Sequence, residues 1–212
     1  QSTQGADLEM MIRHGKAVLS HSSQAMVIVD LPHGTYEHSV EVAVQSSKTV
    51  IEKTGACGVK LEGGASIAAQ IEAITSEGIP VLGHIGLLPQ KFSQTSDFRI
   101  TGKDATEAEQ LQKDADAVTN SGAFGIVLEG IIEPVAHALS QSATIPLIGI
   151  GASPTCHGQI LVTDDLIGLY ADFTPKFVKQ YANVQSIIQE AAQAYAEDVI
   201  SQRFPDASHC FW

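Results

Sequence analysis

The fold of the chain is indicated by one short segment, Val59-Lys60-Leu61-Glu62-Gly63-Gly64. An apolar run carries a lysine and a glutamate two positions apart and then ends in paired glycines. In a β-strand these two side chains point to the same face. Charges inside an apolar strand must be paired or bind something. The segment is therefore typical of a barrel mouth or the carboxyl edge of a parallel sheet, where α/β proteins hold their sites. An internal ion pair or a half-exposed edge strand is the structural alternative.

The same pattern recurs in neighbouring strands. Apolar runs alternate with helical patterns along the chain, which predicts βα units around a parallel sheet. We predict strands at 25–31, 56–61, 79–85, 124–128 and 145–150, with a possible sixth at 159–162. Charged or titratable residues come near the carboxyl ends of four of them: Asp30, Lys60 with Glu62, His84 and Glu129. This repetition predicts a (β/α)₈ TIM barrel with its site at the top face, and one domain over residues 1–212. No G-x-G-x-x-G motif follows a first strand, which disfavours a dinucleotide-binding sheet.

The helices have recognisable ends. Asp7 and Ser39 are predicted N-caps, Gly55 a helix stop, and Asp104-x-x-Glu107 a capping box. The polar segment 86–103 is too long for an ordinary connection, so we interpret it as a functional loop or lid. The chain after residue 162 is predicted to be mostly helical, with one apolar stripe between residues 184 and 202.

Composition excludes several classes of partner. Twelve Lys and Arg against 24 Asp and Glu give a net charge of -12, and the pI is near 4.9. No basic surface is available for phosphates or for anionic lipid, so we predict neither a nucleic-acid nor a membrane partner. Three widely spaced cysteines are typical of a reducing compartment. With no long apolar stretch and no leader pattern, we expect a soluble, cytoplasmic protein.

The strand-end residues indicate a reaction class. Carboxylates with one lysine and one histidine suit Mg²⁺-assisted chemistry on a 2-oxo acid, because Mg²⁺ prefers carboxylate oxygens and stabilises an enolate. Lys60 would meet the substrate oxygens, and a carboxylate not bound to metal would remove the α-proton. The residues alone predict proton abstraction next to a carbonyl.

Six ordered motifs carry a closer resemblance. They are VIVDLPHGTYE (27–37), GVKLEGG (58–64), GIPVLGHIGLLPQ (78–90), GAFGIVLEG (122–130), IPLIGIGASPTCHGQILVTDDLIGL (145–169) and TPKFVKQYA (174–182). Together with the FPDASHCF tail they resemble the ketopantoate hydroxymethyltransferase family. The resemblance implies a (β/α)₈ barrel of the phosphoenolpyruvate mutase and isocitrate lyase type. It also implies transfer of a hydroxymethyl group from 5,10-methylenetetrahydrofolate to 3-methyl-2-oxobutanoate with Mg²⁺ (a step of pantothenate biosynthesis), and a homo-oligomer.

The resemblance also implies roles for the five residues. Asp30 matches a metal ligand that touches the oxo acid, and Glu62 the metal-associated glutamate. Lys60 matches the substrate-binding lysine, and Glu129 the general base. His84 matches a histidine near the substrate oxygens. The structural alternatives are a capping Asp30, a surface Glu129 and a His84 satisfied within the core.

The chain departs from the family pattern at its amino end. Family members begin with two further strands, the second ending in a Gly-Asp-Ser motif, and nothing in residues 1–25 matches it. We therefore expect about six of eight βα units, a weakened Mg²⁺ site and, for these residues made alone, aggregation or association. The competing functions are a Mg²⁺-dependent carbon–carbon lyase of the same superfamily and an inactive truncated subunit.

Overall fold

The structure, a computed structural model, describes residues 3–94, 98–170 and 173–212. The chain divides into two compact units, one running to Ile160 and the other beginning at Leu161. The predicted single domain over residues 1–212 stays a prediction, and each unit is described by itself.

The first unit is built on a six-stranded parallel sheet. Its strands follow the order of the chain, β1-β2-β3-β4-β5-β6, and each neighbouring pair is parallel. The strands are β1 Ile28–Asp30, β2 Gly58–Glu62, β3 Val81–Gly86, β4 Gly125–Glu129, β5 Leu147–Ile150 and β6 Gly158–Gln159. Helices join neighbouring strands from β1 to β5, whereas a loop without a helix joins β5 to β6. Parallel strands that follow one another in this order are the pattern of a (β/α)₈ barrel.

Helices connect the strands and begin where the sequence predicts. They are α1 Leu8–Leu19, α2 Val40–Thr54, α3 Ala68–Ser76, α4 Ala105–Asn120 and α5 Glu133–Ser142. Asp7 and Ser39 each accept a backbone N–H of the first turn of α1 and α2. Gly55 ends α2 at a φ of 77°, the left-handed conformation that glycine adopts without a Cβ penalty. These predicted helix ends are confirmed.

The register places the candidate residues on one face of the sheet. Asp30 lies beside Lys60, and Glu62 beside His84. Glu129 pairs with Gly86, two residues beyond His84 on β3. Because side chains alternate along each strand, all five candidates share this face. The other face packs against helices: a Cβ on Gly83 would come within 2.4 Å of Val118 of α4. The core between sheet and helices includes the fully buried Val59, Leu61, Ile126 and Leu128.

Several predicted boundaries differ from the observed ones. The first strand, Ile28–Asp30, is shorter than the predicted 25–31 mainly at its amino end, and its bonds to β2 run from Val27 O, which accepts the Cys57 N–H, to the Leu31 N–H, which donates to Lys60 O. The possible sixth strand at 159–162 is Gly158–Gln159, and Ile160 and Val162 are more than half exposed. In the predicted capping box, Asp104 accepts the Glu107 N–H, but the Glu107 carboxylate accepts the N–H of Lys103, one residue before the cap.

The loop after β3 and the second unit are less regular. A 3₁₀ helix, Pro89–Lys91, lies within the predicted loop 86–103, of which residues 95–97 lie outside the described residues. The second unit holds α6 Thr163–Leu166 and α7 Val184–Ile200. Its described residues between these helices are not helical, so the prediction of a mostly helical remainder is only partly right. None of the helices in the described parts of the chain is long and apolar enough to cross a membrane.

Candidate active site

Five strand-end side chains lie together at the carboxyl edge of the sheet. They come from β1 (Asp30), β2 (Lys60 and Glu62), β3 (His84) and β4 (Glu129), and they are the five that the sequence singles out. Carboxyl ends of parallel strands meet at one edge, which is why residues far apart in sequence converge here. Their catalytic and ligand roles stay predictions.

Lys60 is at the centre of the cluster. Its Nζ lies 2.8 Å from Asp30 Oδ2, 3.2 Å from His84 Nδ1 and 3.9 Å from Glu62 Oε1. An ammonium group has three N–H donors and no acceptor. Two donors have partners at hydrogen-bonding distance, and the third has none among the described residues, its nearest carboxylate oxygen being Glu62 Oε1 at 3.9 Å. The lysine thus offers an anion one binding direction inside an otherwise acidic site.

Glu62 is the most deeply buried carboxylate of the cluster, with 4% of its side chain exposed. Burial raises its pKa to about 7, although Lys60 and the N–H of Gln90 act in the opposite direction. Gln90 N–H donates to Oε2 over 3.0 Å. The other oxygen, Oε1, lies 3.9 Å from both Lys60 Nζ and His84 Nδ1. One oxygen is therefore anchored while the other faces the cluster.

His84 lies buried between Lys60 and Glu129. Because Lys60 can only donate, His84 Nδ1 must accept, so the neutral ring carries its proton on Nε2. Nε2 lies 3.2 Å from Glu129 Oε2, but at an angle outside that of a hydrogen bond, since it has no hydrogen-bond partner among the described residues. Desolvation lowers the pKa of His84, which keeps the ring neutral at physiological pH. The imidazole thus presents an N–H towards the Glu129 carboxylate.

Asp30 has one paired and one unpaired oxygen. Oδ2 binds Lys60, whereas Oδ1 is buried and has no hydrogen-bond partner among the described residues. Buried carboxylate oxygens without a donor are uncommon and indicate a missing cation or donor. No group of three or more His, Cys, Asp or Glu able to hold a metal ion is present in the described ranges. Asp30 and Glu62 alone still match Mg²⁺, which proteins often hold through one or two carboxylates plus water and substrate.

Two residues that the sequence did not single out also contact the cluster. The Tyr36 hydroxyl is bonded to the main chain of Glu62, and Gln90 to its carboxylate. Both lie in loops with no periodicity, so strand-end reasoning did not find them. The available signal was an aromatic residue and a glutamine inside two of the quoted motifs, VIVDLPHGTYE and GIPVLGHIGLLPQ.

A cavity of about 450 Å³ lies beside the loop after β3. It is lined by apolar and small residues (Gly86, Leu87, Leu88, Phe92, Ile100 and Thr101), by the cations Lys91, Arg99 and Lys103, and by one acidic residue, Glu107. The Leu87 N–H donates to the carbonyl oxygen of Glu129 over 2.7 Å, so the cavity wall is bonded directly to β4. Three of the twelve Lys and Arg residues of this acidic chain thus lie around one largely apolar cavity.

Structural comparison supports the fold. A candidate phosphonomutase of Burkholderia cenocepacia J2315 aligns with a TM-score of 0.53 and 18% identity, over 92% of this chain and 79% of its own. A candidate lyase or mutase of the same organism aligns with a TM-score of 0.53 and 13% identity, over 95% of this chain and 69% of its own. At these identities the likeness concerns the fold alone. It confirms the predicted α/β architecture with a parallel sheet.

Sequence comparison gives a closer relationship. The 3-methyl-2-oxobutanoate hydroxymethyltransferase of Paramagnetospirillum magneticum is 51% identical over 211 residues, which is 100% of this chain and 77% of the relative. Those of Rhodospirillum rubrum and Brucella canis are 47% and 46% identical, over 99% and 100% of this chain and 76% and 77% of their own lengths. The model of the family described as ketopantoate hydroxymethyltransferase matches residues 1–207. With nearly the whole chain matched at this identity, the chain belongs to the ketopantoate hydroxymethyltransferase family.

Proposed function

We propose that this chain transfers a hydroxymethyl group from 5,10-methylenetetrahydrofolate to 3-methyl-2-oxobutanoate in pantothenate biosynthesis. The observation that carries the proposal is Lys60, whose Nζ lies among Asp30, Glu62 and His84 at the carboxyl edge of a barrel sheet. An anionic oxo acid needs such a cation in a protein of net charge -12. The names of the relatives, each a 3-methyl-2-oxobutanoate hydroxymethyltransferase, support the same substrate.

In the proposed reaction Lys60, Glu129 and His84 have separate roles. Lys60 donates its free N–H to an oxygen of the oxo acid and orients the substrate. Glu129 removes the proton from carbon 3, which leaves an enolate that attacks the one-carbon unit. His84, 3% exposed, lies between Lys60 and Glu129 with its Nε2 3.2 Å from Glu129 Oε2, and we place it near the oxygens of the bound oxo acid. Water supplies the oxygen of the new hydroxyl group while both C–N bonds between the methylene carbon and the folate break. Tetrahydrofolate leaves with an N–H at each of the two nitrogens, one proton coming from water and the other from carbon 3 through Glu129.

Asp30 and Glu62 are the residues that would hold Mg²⁺. Asp30 Oδ1 is a buried acceptor without a donor, and Glu62 Oε1 faces the same cluster. A bound Mg²⁺ would supply positive charge at the carboxylate and ketone oxygens of the oxo acid and favour the enolate. The carboxylates also hold Lys60 in place, which Asp30 does over 2.8 Å.

The cavity beside the loop after β3 is our candidate site for the folate. A folate combines flat rings with an anionic glutamate tail, and the cavity combines apolar side chains with Lys91, Arg99 and Lys103. None of these three cations forms an ion pair with another described residue. One of its lining residues, Leu87, is bonded to the main-chain carbonyl of Glu129, which connects the cavity to the strand that carries the proposed base. We also propose that the protein is a cytoplasmic homo-oligomer, as its composition and the family resemblance imply.

Glu129→Gln tests the assigned chemistry. Without a carboxylate base, exchange of the carbon-3 proton with solvent should fall at least about 100-fold, the lower range of a general-base contribution. Exchange is followed by NMR in D₂O, and product formation by chromatography with both substrates and Mg²⁺. Glu133→Gln, at an exposed position near the start of α5, is the matched control. Normal proton exchange in the Glu129 variant would remove Glu129 from this role.

A further inference from the structure

Two buried side chains outside the predicted set converge on Glu62. Tyr36 Oη donates to the carbonyl oxygen of Glu62 over 3.0 Å and accepts its N–H over 3.2 Å. Gln90 N–H donates to Glu62 Oε2 over 3.0 Å. Tyr36 is 1% exposed and Gln90 7%. Burial, with the charge of Glu37 as the next contribution, raises the pKa of Tyr36, so the phenol stays protonated and can both donate and accept.

The Tyr36 hydroxyl bonds to main-chain groups of β2 that lie beyond the end of β1. Alternate residues of β2 bond to β3, as the N–H groups of Val59 and Gly63 do. The residues between them face β1, whose last bond to β2 runs from Leu31 N–H to Lys60 O. One step further along β2, the main chain of Glu62 has no strand beside it. The Tyr36 hydroxyl bonds to both polar groups that would otherwise be left there.

Gln90 joins the loop after β3 to the other two strands. While its main-chain N–H holds the Glu62 carboxylate, its Nε2 donates to Leu31 O over 3.1 Å. Leu31 O is the acceptor that a longer β1 would have offered to Glu62 N–H. Tyr36 and Gln90 thus share the bonds that end the β1–β2 ladder. Together they fix Glu62 Oε2 away from the cluster and leave Oε1 directed at Lys60 and His84.

Tyr36 is itself held from its own loop. The Glu37 carboxylate accepts the N–H groups of Gly34 and Tyr36, and the Gln70 side chain donates to Glu37 O. A buried aromatic ring in a loop ordered in this way keeps its hydroxyl in one place. A small shift of the Glu62 carboxylate would therefore displace the reacting atoms of the bound substrate. Displacements of about 1 Å at such atoms lower the rate on the order of 100-fold.

We propose that Tyr36 and Gln90 are positioning residues for hydroxymethyl transfer, which fix the Glu62 carboxylate so that one oxygen faces Lys60 and the bound oxo acid. The proposal rests on the proposed function, since it assigns Glu62 a place in that reaction. It concerns the oxo-acid side of the site and leaves the folate side unchanged.

Tyr36→Phe is the direct test, because it removes one oxygen and keeps the buried ring. We expect kcat to fall about 10- to 100-fold, with the KM for 5,10-methylenetetrahydrofolate within about twofold of the parent. Oxo-acid affinity by calorimetry and Mn²⁺ affinity by electron paramagnetic resonance should also weaken by about tenfold. Gln90→Met keeps the main-chain donor and loses the bond to Leu31, so its losses should have the same pattern and be smaller.

Thr75→Val is the matched control. Thr75, near the carboxyl end of α3, is not among the contacts of the cluster, and its Oγ1 donates to Ser121 O over 2.9 Å. Its removal should lower the melting temperature of the protein while leaving kcat and both affinities unchanged. Tyr36→Phe with parental kcat and oxo-acid affinity, or with losses shared equally between the two substrates, would overturn the inference alone. A parent protein that neither binds the oxo acid nor forms product would instead overturn the proposed function, and the inference with it.

Discussion

At the scale of single residues, Lys60 decides what the site can hold. Three carboxylates and a neutral histidine surround one ammonium group, so an anionic substrate has a single attractive partner among the five residues. Lys60 forms an ion pair with Asp30 and contacts His84 Nδ1, and its third N–H has no partner at hydrogen-bonding distance among the described residues. In our proposal this third N–H binds the substrate, whereas a purely structural ion pair would leave it without a ligand.

Lys60→Ala and Arg99→Ala should separate the two substrates. Loss of a charge-assisted bond of about 2–3 kcal/mol predicts that Lys60→Ala weakens oxo-acid binding about 30- to 100-fold. Folate affinity should change little. Arg99→Ala, in the apolar and cationic cavity, should show the reverse preference. Calorimetric titration of each variant with each ligand checks this, and Lys48→Ala, which removes only an exposed ion pair with Glu77, is the control. Equal losses for both ligands in Lys60→Ala would identify a structural lysine.

Glu62→Gln should change the pH dependence of stability. Burial raises the Glu62 pKa from 4.5 to about 7, so the folded state binds this proton more tightly than the unfolded chain. Its contribution is complete below pH 4.5 and is lost as pH rises through 7. The free energy of unfolding of the parent relative to the variant should therefore fall by about 2 kcal/mol between pH 5.5 and 8.

Urea unfolding at several pH values in EDTA measures this difference. The carboxylates of Asp30 and Glu129 and the ammonium of Lys60 act on Glu62 in the parent. His84, with its lowered pKa, contributes the opposite trend below its usual range, but it is present in both proteins. A difference independent of pH would mean that Glu62 ionises as an ordinary surface glutamate.

Residue identities were predictable where side chains belong to strands. Asp30, Lys60, Glu62, His84 and Glu129 follow apolar runs, and the parallel topology brings such positions together. Tyr36 and Gln90 were not predictable in this way, because their contacts form only when two loops close over the end of β2. The tautomer of His84 likewise depends on the Lys60 distance, which no spacing in the sequence contains.

At the scale of elements, helix ends were better predicted than strand ends. Side-chain caps such as Ser39 are local, so the sequence contains the whole interaction. Strand ends depend on the neighbouring strand, which is why β1 and β6 are shorter than their apolar runs. The second unit shows the same limit, because the apolar residues Ile187, Ile188 and Tyr195 of α7 indicate a helix without indicating what covers them.

Gly83→Ala tests the packing of β3 against α4. The added Cβ would lie 2.4 Å from a methyl group of Val118, a buried and β-branched residue with little freedom to move. Overpacking of this kind predicts a loss of about 1–3 kcal/mol in the free energy of unfolding. Gly55→Ala is the comparison, since its Cβ meets no atom and only the left-handed φ costs energy, about 1 kcal/mol. Urea unfolding of both variants should give the larger loss at Gly83, and the reverse order would contradict this packing.

At the scale of the whole molecule, the described sheet has two outer strands. β1 pairs only with β2, and β6 only with β5. A closed barrel has no such edges, and outer strands present free backbone groups that pair readily with another chain. The family resemblance predicted six barrel strands, and the structure has six.

A polypeptide of these 212 residues studied by itself should therefore associate or aggregate. Each buried polar group left without a partner costs about 1–3 kcal/mol, against a total domain stability of about 5–15 kcal/mol. Our proposal gives Mg²⁺ two carboxylates among the described residues, Asp30 and Glu62, so we expect its affinity to be low in the absence of substrate. Sedimentation velocity gives the oligomeric state, Mn²⁺ titration the affinity, and product formation with both substrates the activity. The net charge of -12 makes copies of this polypeptide repel one another most strongly at low ionic strength, where salt does not screen the charges. Association that persists under these conditions would therefore indicate strand pairing rather than non-specific clustering. A monomeric preparation with full transferase activity would contradict this account of the outer strands.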